Sequence, residues 1–326
     1  MASSNLPGRP ARLSGDHRWR PWDGGTWQDT SIRFETPGLP EAGIFEETRS
    51  IGGVATRVRF SPGTGPTLVL LPGSMLDSSL LTWKHTLEGL PADVRCIVPD
   101  LPGYGRSAFP TGADCSTGYY ARWLAQLADA YQLGTFALGG SSMSAAVALT
   151  YALDYPEQLT HLILAGAYGM APRLPLHPLV RGLAHVPNVG ALTRTLLTRV
   201  PLTLRLGLHA STVSLDVSDE MVDDAAVGLA MPRALDAFAR WLRLEMQSDR
   251  ISSYLAPRLP ELAVPTLVIH GSRDPLIPAS AAERGAAAIL DGRLLLIDGA
   301  GHLAPRERPD LVSEALHSFL GYDLGG

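Results

Sequence analysis

The sequence feature that most constrains the fold is residues 135–146, where an apolar run leads into two glycines, two serines and an alanine-rich segment. The apolar run predicts a strand, and the segment that continues to Tyr155 predicts a helix. Ser142 lies at the sharp turn between them. Such a turn, called a nucleophile elbow, holds a serine in a strained backbone conformation with its hydroxyl group exposed at the end of a sheet.

The residues two positions before and after an elbow serine must be small, because the tight turn brings them together. Gly140 and Ser144 meet this requirement, although Ser144 stands where the Gly-x-Ser-x-Gly pattern has its second glycine. A serine between small residues also occurs as an ordinary helix N-cap. The elbow interpretation therefore depends on an oxyanion loop, an acid and a histidine that appear in the right order.

Short apolar segments alternate with helical patterns along much of the chain. Two segments separated by a glycine pair, residues 44–49 and 54–60, predict antiparallel strands. Further strands are predicted at residues 67–71, 94–98, 159–165, 266–270 and 293–297. Helices are predicted at residues 116–133, from 219 onward, at 233–247 with Trp241 and Leu244 on the inner side, and at 310–320. The alternation predicts an α/β fold with a mostly parallel central sheet and helices on both faces.

Polar motifs follow four of the predicted strands. They are Pro72-Gly73-Ser74, the segment from Asp100 to Ser107 that reads Asp-Leu-Pro-Gly-Tyr-Gly-Arg-Ser, the turn containing Asp274, and Asp298-Gly-Ala-Gly-His302. Together with the elbow, these motifs resemble the α/β-hydrolase superfamily, in particular its serine-nucleophile members with a helical cap. The resemblance implies an α/β-hydrolase fold with an inserted cap.

The resemblance also implies a set of catalytic residues. Ser142 would be the nucleophile, His302 the base and Asp274 the acid that orients the base, in the chain order that is typical of this fold. The oxyanion hole would be formed by the backbone N–H groups of Ser74 and Met143.

Two other aspartates and one proline bear on this assignment. Asp298 lies only four residues before His302 and is expected to stabilise the turn, and Asp100 is expected to be structural. Pro72 stands where many relatives have histidine. Because proline has no N–H and a fixed φ, the loop that carries Ser74 must be braced in a different way.

The motifs divide the chain into three parts. Residues 44–168 and 255–326 are predicted to form the core, and residues 169–254 the helical cap. Residues 1–43 are rich in Pro, Gly and Arg and predict an irregular arm. The arm contains Trp19, Trp22 and Trp27, so we expect it to pack on the main domain or on a second subunit.

Residues 166–215 contain no aspartate or glutamate, but five arginines and three histidines. Leucine, proline and valine make up much of the rest. An apolar cap would suit a hydrophobic substrate. The arginines are open to two interpretations, a solvated face of the cap or a basic apolar surface that contacts membranes transiently.

Composition excludes several classes of function. The chain has 27 basic and 32 acidic residues, so nucleic acid is not expected as a partner. Cys96 and Cys115 predict two free thiols in a reducing compartment, and with no apolar run of membrane-spanning length we expect a cytoplasmic protein without stable membrane insertion. No ligand spacing or phosphate loop indicates a metal or a cofactor.

The sequence thus predicts a serine hydrolase that cleaves a carboxylic ester or lactone of a small, hydrophobic substrate through an acyl-enzyme. Two alternatives remain open. One is a carbon–carbon bond hydrolase, although such relatives often have tryptophan where this chain has Leu303. The other is a non-hydrolytic member of the superfamily that binds a ligand or acts as a cyclase, lyase or cofactor-free oxygenase. A homo-oligomer is also left open.

Overall fold

Eight strands form one sheet at the centre of the computed structural model, which describes residues 43–213, 217–229, 231, 233 and 235–321. The predicted N-terminal arm, apart from residue 43, lies outside the described residues. The strands are β1 (Phe45–Ile51), β2 (Val54–Pro62), β3 (Thr67–Leu71), β4 (Arg95–Pro99), β5 (Phe136–Ser141), β6 (Leu159–Ala165), β7 (Thr266–Gly271) and β8 (Gly292–Ile297). The strand order is β1-β2-β4-β3-β5-β6-β7-β8.

All strand pairs from β4 to β8 are parallel, whereas β1 and β2 pair antiparallel with each other and β2 pairs antiparallel with β4. The predicted mostly parallel sheet is therefore confirmed. The helices are α1 (Lys84–Glu88), α2 (Thr117–Ala130), α3 (Met143–Asp154), α4 (His177–Ala184), α5 (Val189–Arg199), α6 (Pro201–Thr212), α7 (Asp219–Val227), α8 (Asp236–Glu245), α9 (Ala279–Ala288), α10 (Ala304–Glu307) and α11 (Pro309–Leu320).

Apolar side chains cover both faces of the sheet. In β3, Val69 and Leu71 join a cluster with α2, α3 and α9, whereas Leu68 and Leu70 join a second cluster with α1 and α11. Successive side chains of a strand point to opposite faces, so an unbroken apolar strand is buried on both sides. Helices on both faces of the sheet are confirmed.

Five helices, α4 to α8, lie between β6 and β7 and form what we call the helical insertion, residues 177–245. They fall within the predicted cap, residues 169–254. Leu204 and Leu208 on α6 and Met221 on α7 pack with Leu76 and Leu303 of the core in a third apolar cluster. The insertion therefore packs against the loops that follow β3 and β8. In the described part of the chain, no helix is long and apolar enough to cross a bilayer.

Helix α8 differs from its prediction in one respect. Trp241 is buried as predicted, but the prediction for Leu244 was wrong, since its side chain is 41% exposed. Ala237, Trp241 and Glu245, each four residues apart, form the inner side instead. The buried carboxylate of Glu245 accepts hydrogen bonds from groups that include the hydroxyls of Thr117 and Tyr168.

Candidate active site

The turn between β5 and α3 has the geometry predicted for an elbow. Ser142 lies at this turn with φ 52° and ψ −119°, a strained conformation for a residue other than glycine. A Cβ atom at Gly140 would lie 2.3 Å from the carbonyl oxygen of Ser144, so the position two residues before Ser142 must be glycine. The turn projects Ser142 at the edge of the sheet where β3, β5, β7 and β8 end.

The structure brings together the three predicted catalytic side chains at this edge. The Nε2 atom of His302 lies 2.9 Å from the Oγ of Ser142, and its Nδ1 lies 2.7 Å from Oδ2 of Asp274. Because an ionised Asp274 can only accept, Nδ1 of His302 donates to it and Nε2 is left to accept the serine hydroxyl proton. This is the tautomer that general-base chemistry at Ser142 requires.

Asp274 is held as an ionised acceptor although its side chain is fully buried. Burial acts to raise its pKa, but the hydrogen bond from His302 and the backbone N–H of Ile277 outweigh it and hold the pKa below its usual value. The Nε2 atom of His270 lies 3.4 Å from Oδ2 of Asp274 and donates to the Ile277 carbonyl. The carboxylate is therefore fixed before any substrate binds.

Asp298, the rival acid, has the role that its position in the sequence predicts. Its Oδ1 accepts a hydrogen bond of 3.1 Å from the hydroxyl of Ser272, which in turn accepts from the N–H of Gly299. Asp100 is buried and accepts from the backbone N–H groups of Ser79 and Arg106. Both aspartates thus stabilise turns.

The backbone of His302 is anchored to the helical insertion. Its N–H donates to the carbonyl oxygen of Ser211, at the end of α6, at 2.8 Å. A Cβ atom on Gly301 would lie 2.5 Å from the backbone of Thr212, so only glycine permits this close approach. Spacing along the sequence gave no signal for this contact, because it joins two segments that lie about 90 residues apart.

On the core side, Glu307 supports the same loop. Its carboxylate accepts from the N–H of Gly301 at 3.0 and 3.1 Å. Burial raises the pKa of Glu307 to about 7. No motif or spacing in the sequence indicates this role for Glu307.

The loop after β3 passes directly beside the elbow. A Cβ atom on Gly73 would lie 3.3 Å from the Cβ of Ser142. The buried carboxylate of Asp77 braces the loop by accepting from the backbone N–H groups of Gly73, Ser78 and Thr82 and from the Thr82 hydroxyl. This is the different brace that Pro72 was predicted to require. No motif in the sequence points to Asp77, although an aspartate in a tight loop is a common acceptor for nearby N–H groups.

Ser144 and Pro72, the two departures from the family pattern, contact each other. The hydroxyl of Ser144 donates to the carbonyl oxygen of Pro72, and both residues are buried. Ser74 follows directly in this loop. Met143 is the first residue of α3, so its N–H has no partner within the helix. The oxyanion role of Ser74 and Met143 stays a prediction.

The surroundings of the site are apolar. The third apolar cluster includes Leu303, the neighbour of His302, and Leu76 from the loop after β3. A Cβ atom on Gly228 would lie 2.5 Å from the Leu76 carbonyl oxygen, so the end of α7 also closes on this loop. Among the described residues, no group of three His, Cys, Asp or Glu side chains is placed to hold a metal ion.

A separate polar cavity of about 390 Å³ lies between the insertion and the core. Its lining includes Glu220, Asp298, Arg306 and Glu307 but not Ser142. It lies beside the loop before His302 and is not the space into which the serine hydroxyl points.

A mostly parallel sheet that carries, at one edge, a serine elbow, a histidine and a buried aspartate hydrogen-bonded in series is typical of α/β hydrolases. Comparison with known protein families supports this assignment. The model of the alpha/beta hydrolase fold family matches residues 66–309, more than half of the chain, and the chain belongs to this family. The resemblance that the motifs indicated is thereby confirmed.

Relatives with named activities cover most of the chain. It is 25% identical to the human protein named monoacylglycerol lipase ABHD6, over 80% of this chain and 77% of the relative. It is also 25% identical to 2-hydroxy-6-oxo-2,4-heptadienoate hydrolase of Pseudomonas putida, over 82% of this chain and 94% of that protein. The solved structure of a thermophilic esterase from Thermogutta terrifontis is similar, with a TM-score of 0.64, 26% identity and coverage of 85% of this chain and 98% of that one.

Proposed function

We propose that this chain is a serine hydrolase that cleaves a carboxylic ester, or a lactone, of a small hydrophobic substrate. The observation that carries the proposal is the hydrogen-bonded series from Ser142 through His302 to Asp274, with distances of 2.9 and 2.7 Å. A hydroxyl is a weak nucleophile at neutral pH, and a neighbouring base that is itself oriented by a carboxylate supplies the activation it needs.

The proposed reaction has two half-reactions. The Oγ of Ser142 attacks the ester carbonyl carbon while its proton passes to Nε2 of His302. The backbone N–H groups of Ser74 and Met143 donate hydrogen bonds to the developing oxyanion, and His302 then protonates the leaving alcohol. An acyl ester remains on Ser142. Water attacks this ester with His302 again as the base, and the released acid leaves Ser142 protonated.

The substrate class rests on the apolar cluster around the site. Leu303, the neighbour of His302, packs with Leu76 of the core and with Leu204 and Leu208 of α6, and apolar surface beside the site suits an acyl chain or an apolar alcohol. We propose on this basis that residues 169–254 act as a cap over the site. Among relatives, one is named a monoacylglycerol lipase and one an esterase. The heptadienoate substrate of the Pseudomonas relative carries a carboxylate, which an apolar enclosure suits less well.

The proposal is tested with Ser142→Ala, 4-nitrophenyl esters of graded acyl length and a fluorophosphonate probe. The wild type is expected to turn over these esters and to carry the probe on Ser142, whereas the variant should lose about 10⁴-fold or more in kcat and all labelling. Ser141→Ala is the matched control. Its hydroxyl is buried without a hydrogen-bond partner among the described residues, so activity should persist.

Two outcomes would reject this function. Activity that survives Ser142→Ala would remove the serine from the mechanism. Turnover of a vinylogous 1,5-diketone without turnover of any ester would assign the protein to carbon–carbon bond hydrolysis instead.

A further inference from the structure

The helical insertion carries an unusual number of exposed apolar residues. Among the described residues, ten of the seventeen large apolar side chains that are exposed lie between positions 176 and 213. Six of them form three pairs with a spacing of four residues, one pair on each of α4, α5 and α6. The pairs, which we call the leucine face, are Leu179 and Leu183, Leu192 and Leu196, and Leu202 and Leu206.

Packing within the protein does not account for the leucine face. Residues four apart lie on the same side of a helix. In α6 the inner side is already formed by Leu204 and Leu208, which are buried in the third apolar cluster. Leu202 and Leu206 on the same helix are 62% and 54% exposed. Because α5 contacts α6, and both α4 and α5 contact α8, the three exposed pairs belong to neighbouring helices. A concentration of exposed apolar surface of this kind marks an interaction site.

Charge identifies the kind of partner. Residues 166–215 contain five arginines and three histidines but no acidic residue. Arg199, the last residue of α5, lies seven residues after Leu192 and three after Leu196, on the same side of the helix, and its side chain is exposed. A second copy of this chain would bring the same positive charge to the contact, and like charges oppose association. An anionic phospholipid surface instead offers an apolar interior beneath negatively charged headgroups.

We infer that the leucine face is a docking surface for anionic phospholipid bilayers. The leucines of α4, α5 and α6 enter the boundary between headgroups and acyl chains, and Arg199 contacts lipid phosphates. The protein lies on the bilayer and does not cross it. Since the inner side of α6 belongs to the apolar cluster beside Ser142, docking brings the bilayer close to the candidate active site. The docking itself does not depend on the chemistry at Ser142.

The inference is tested by flotation of the full chain with vesicles of phosphatidylcholine alone or mixed with phosphatidylglycerol. The wild type should float with the anionic vesicles, and rising salt should release it, because salt screens the arginine charges. The double variant Leu192→Glu with Leu196→Glu should no longer float. Leu290→Glu is the matched control, since Leu290 is 89% exposed but lies between α9 and β8, away from the insertion. This control should float like the wild type.

A second pair of variants separates charge from apolar contact. Arg199→Gln should lower the partition coefficient on anionic vesicles by about fivefold, which is the contribution of one basic residue near such a surface. Arg122→Gln, an exposed arginine on α2, should leave it unchanged. Circular dichroism and fluorophosphonate labelling of each variant establish that the fold and the Ser142 site are intact.

Several results would overturn the inference. Equal binding of the wild type to neutral and anionic vesicles, no binding to either, or wild-type binding by the leucine variant would each contradict it. If sedimentation shows a wild-type dimer that the leucine variant converts to a monomer, and no vesicle binds, the face is a contact between copies of the chain. If the wild type binds vesicles but the fluorophosphonate probe does not label its Ser142, the proposed hydrolase chemistry is rejected and the docking surface remains.

Discussion

Ser144 and Pro72 are the residues at which this chain departs from the pattern of many relatives, and one hydrogen bond joins them. The buried carbonyl oxygen of Pro72 needs a donor, and the hydroxyl of Ser144 supplies it. A glycine at position 144 could not do so. The two departures are thus coupled, and together with Asp77 they fix the loop that carries Ser74.

Removing this hydroxyl should weaken both the fold and the reaction. Ser144→Ala leaves the Pro72 carbonyl buried without its donor, which should lower the free energy of unfolding by about 1–3 kcal/mol. Because the loop carrying Ser74 then shifts, we expect kcat on the best ester to fall by about tenfold, less than when an oxyanion donor is deleted. Urea unfolding and steady-state kinetics measure the two effects.

The control for this experiment lies three residues away. Ser141→Ala removes a hydroxyl that is equally buried but has no partner among the described residues, so it should change neither quantity by much. Equal effects of the two variants would show that the bond to Pro72 has no special role.

At the residue level, the sequence predicted the three side chains that meet at the edge of the sheet better than the residues that support them. Ser142, Asp274 and His302 could be found because parallel strands end at one edge and the chain order of the three groups is typical of the fold. Asp77 and Glu307 could not be found in this way, because the carboxylate of each accepts hydrogen bonds from backbone N–H groups. That depends on the path of a loop, which side-chain patterns do not encode.

At the level of elements, α7 is joined to the core by a buried cluster of charges. The carboxylate of Asp224 accepts from Lys84 of α1 at 3.0 and 3.1 Å and from Arg306 of α10 at 2.7 Å. Glu220, one turn earlier, lies 2.7 Å from Lys84 but is half exposed. Asp224 is therefore the principal link between the insertion and the core in this region.

Breaking that link should loosen the insertion. Asp224→Asn leaves the buried Arg306 without its closest counter-charge and should lower the free energy of unfolding by about 3 kcal/mol. Asp223→Asn removes the same charge from an exposed position on the same helix, and we expect little change from it. Urea denaturation gives the energies, and faster amide hydrogen exchange in α7 would locate the change. Comparable destabilisation by both variants would contradict a specific role for Asp224.

Elements of the core were predicted closely, whereas in the insertion only α7 and α8 were predicted as individual helices. The strand predicted at residues 67–71 matches β3, and that at residues 159–165 matches β6. The prediction that Leu244 lies on the inner side of α8 was wrong, because Glu245 occupies that buried position. A buried glutamate is rare, and only its contacts with Thr117, Tyr168 and Ser253 make it stable there.

At the scale of the whole molecule, Glu307 makes stability depend on pH near neutrality. Burial raises its pKa from 4.5 to about 7. Between these values the folded chain binds a proton that the unfolded chain has lost, so the free energy of unfolding decreases as pH rises through this window. Below about 4.5 both states are protonated, and above about 7 both are ionised, so the contribution of Glu307 is constant outside the window.

Glu307→Gln removes this titration while retaining an oxygen for the N–H of Gly301. The melting temperature of the variant relative to the wild type should therefore increase between pH 5 and pH 8, by about 2 °C or more. Glu314→Gln, an exposed glutamate on α11, should show no such trend. Parallel curves for Glu307→Gln and the wild type across this range would contradict the prediction.

The hydrogen bond from the N–H of His302 to the carbonyl of Ser211 has a consequence for protein engineering. Grafting the insertion of another hydrolase onto this core, in order to change the substrate it binds, would also exchange the peptide group that anchors the backbone of His302. A chimera that retains residues 208–213 should keep its turnover, and one that replaces them should lose it whatever pocket it has gained. Replacing the end of α6 would therefore change substrate selectivity and turnover together.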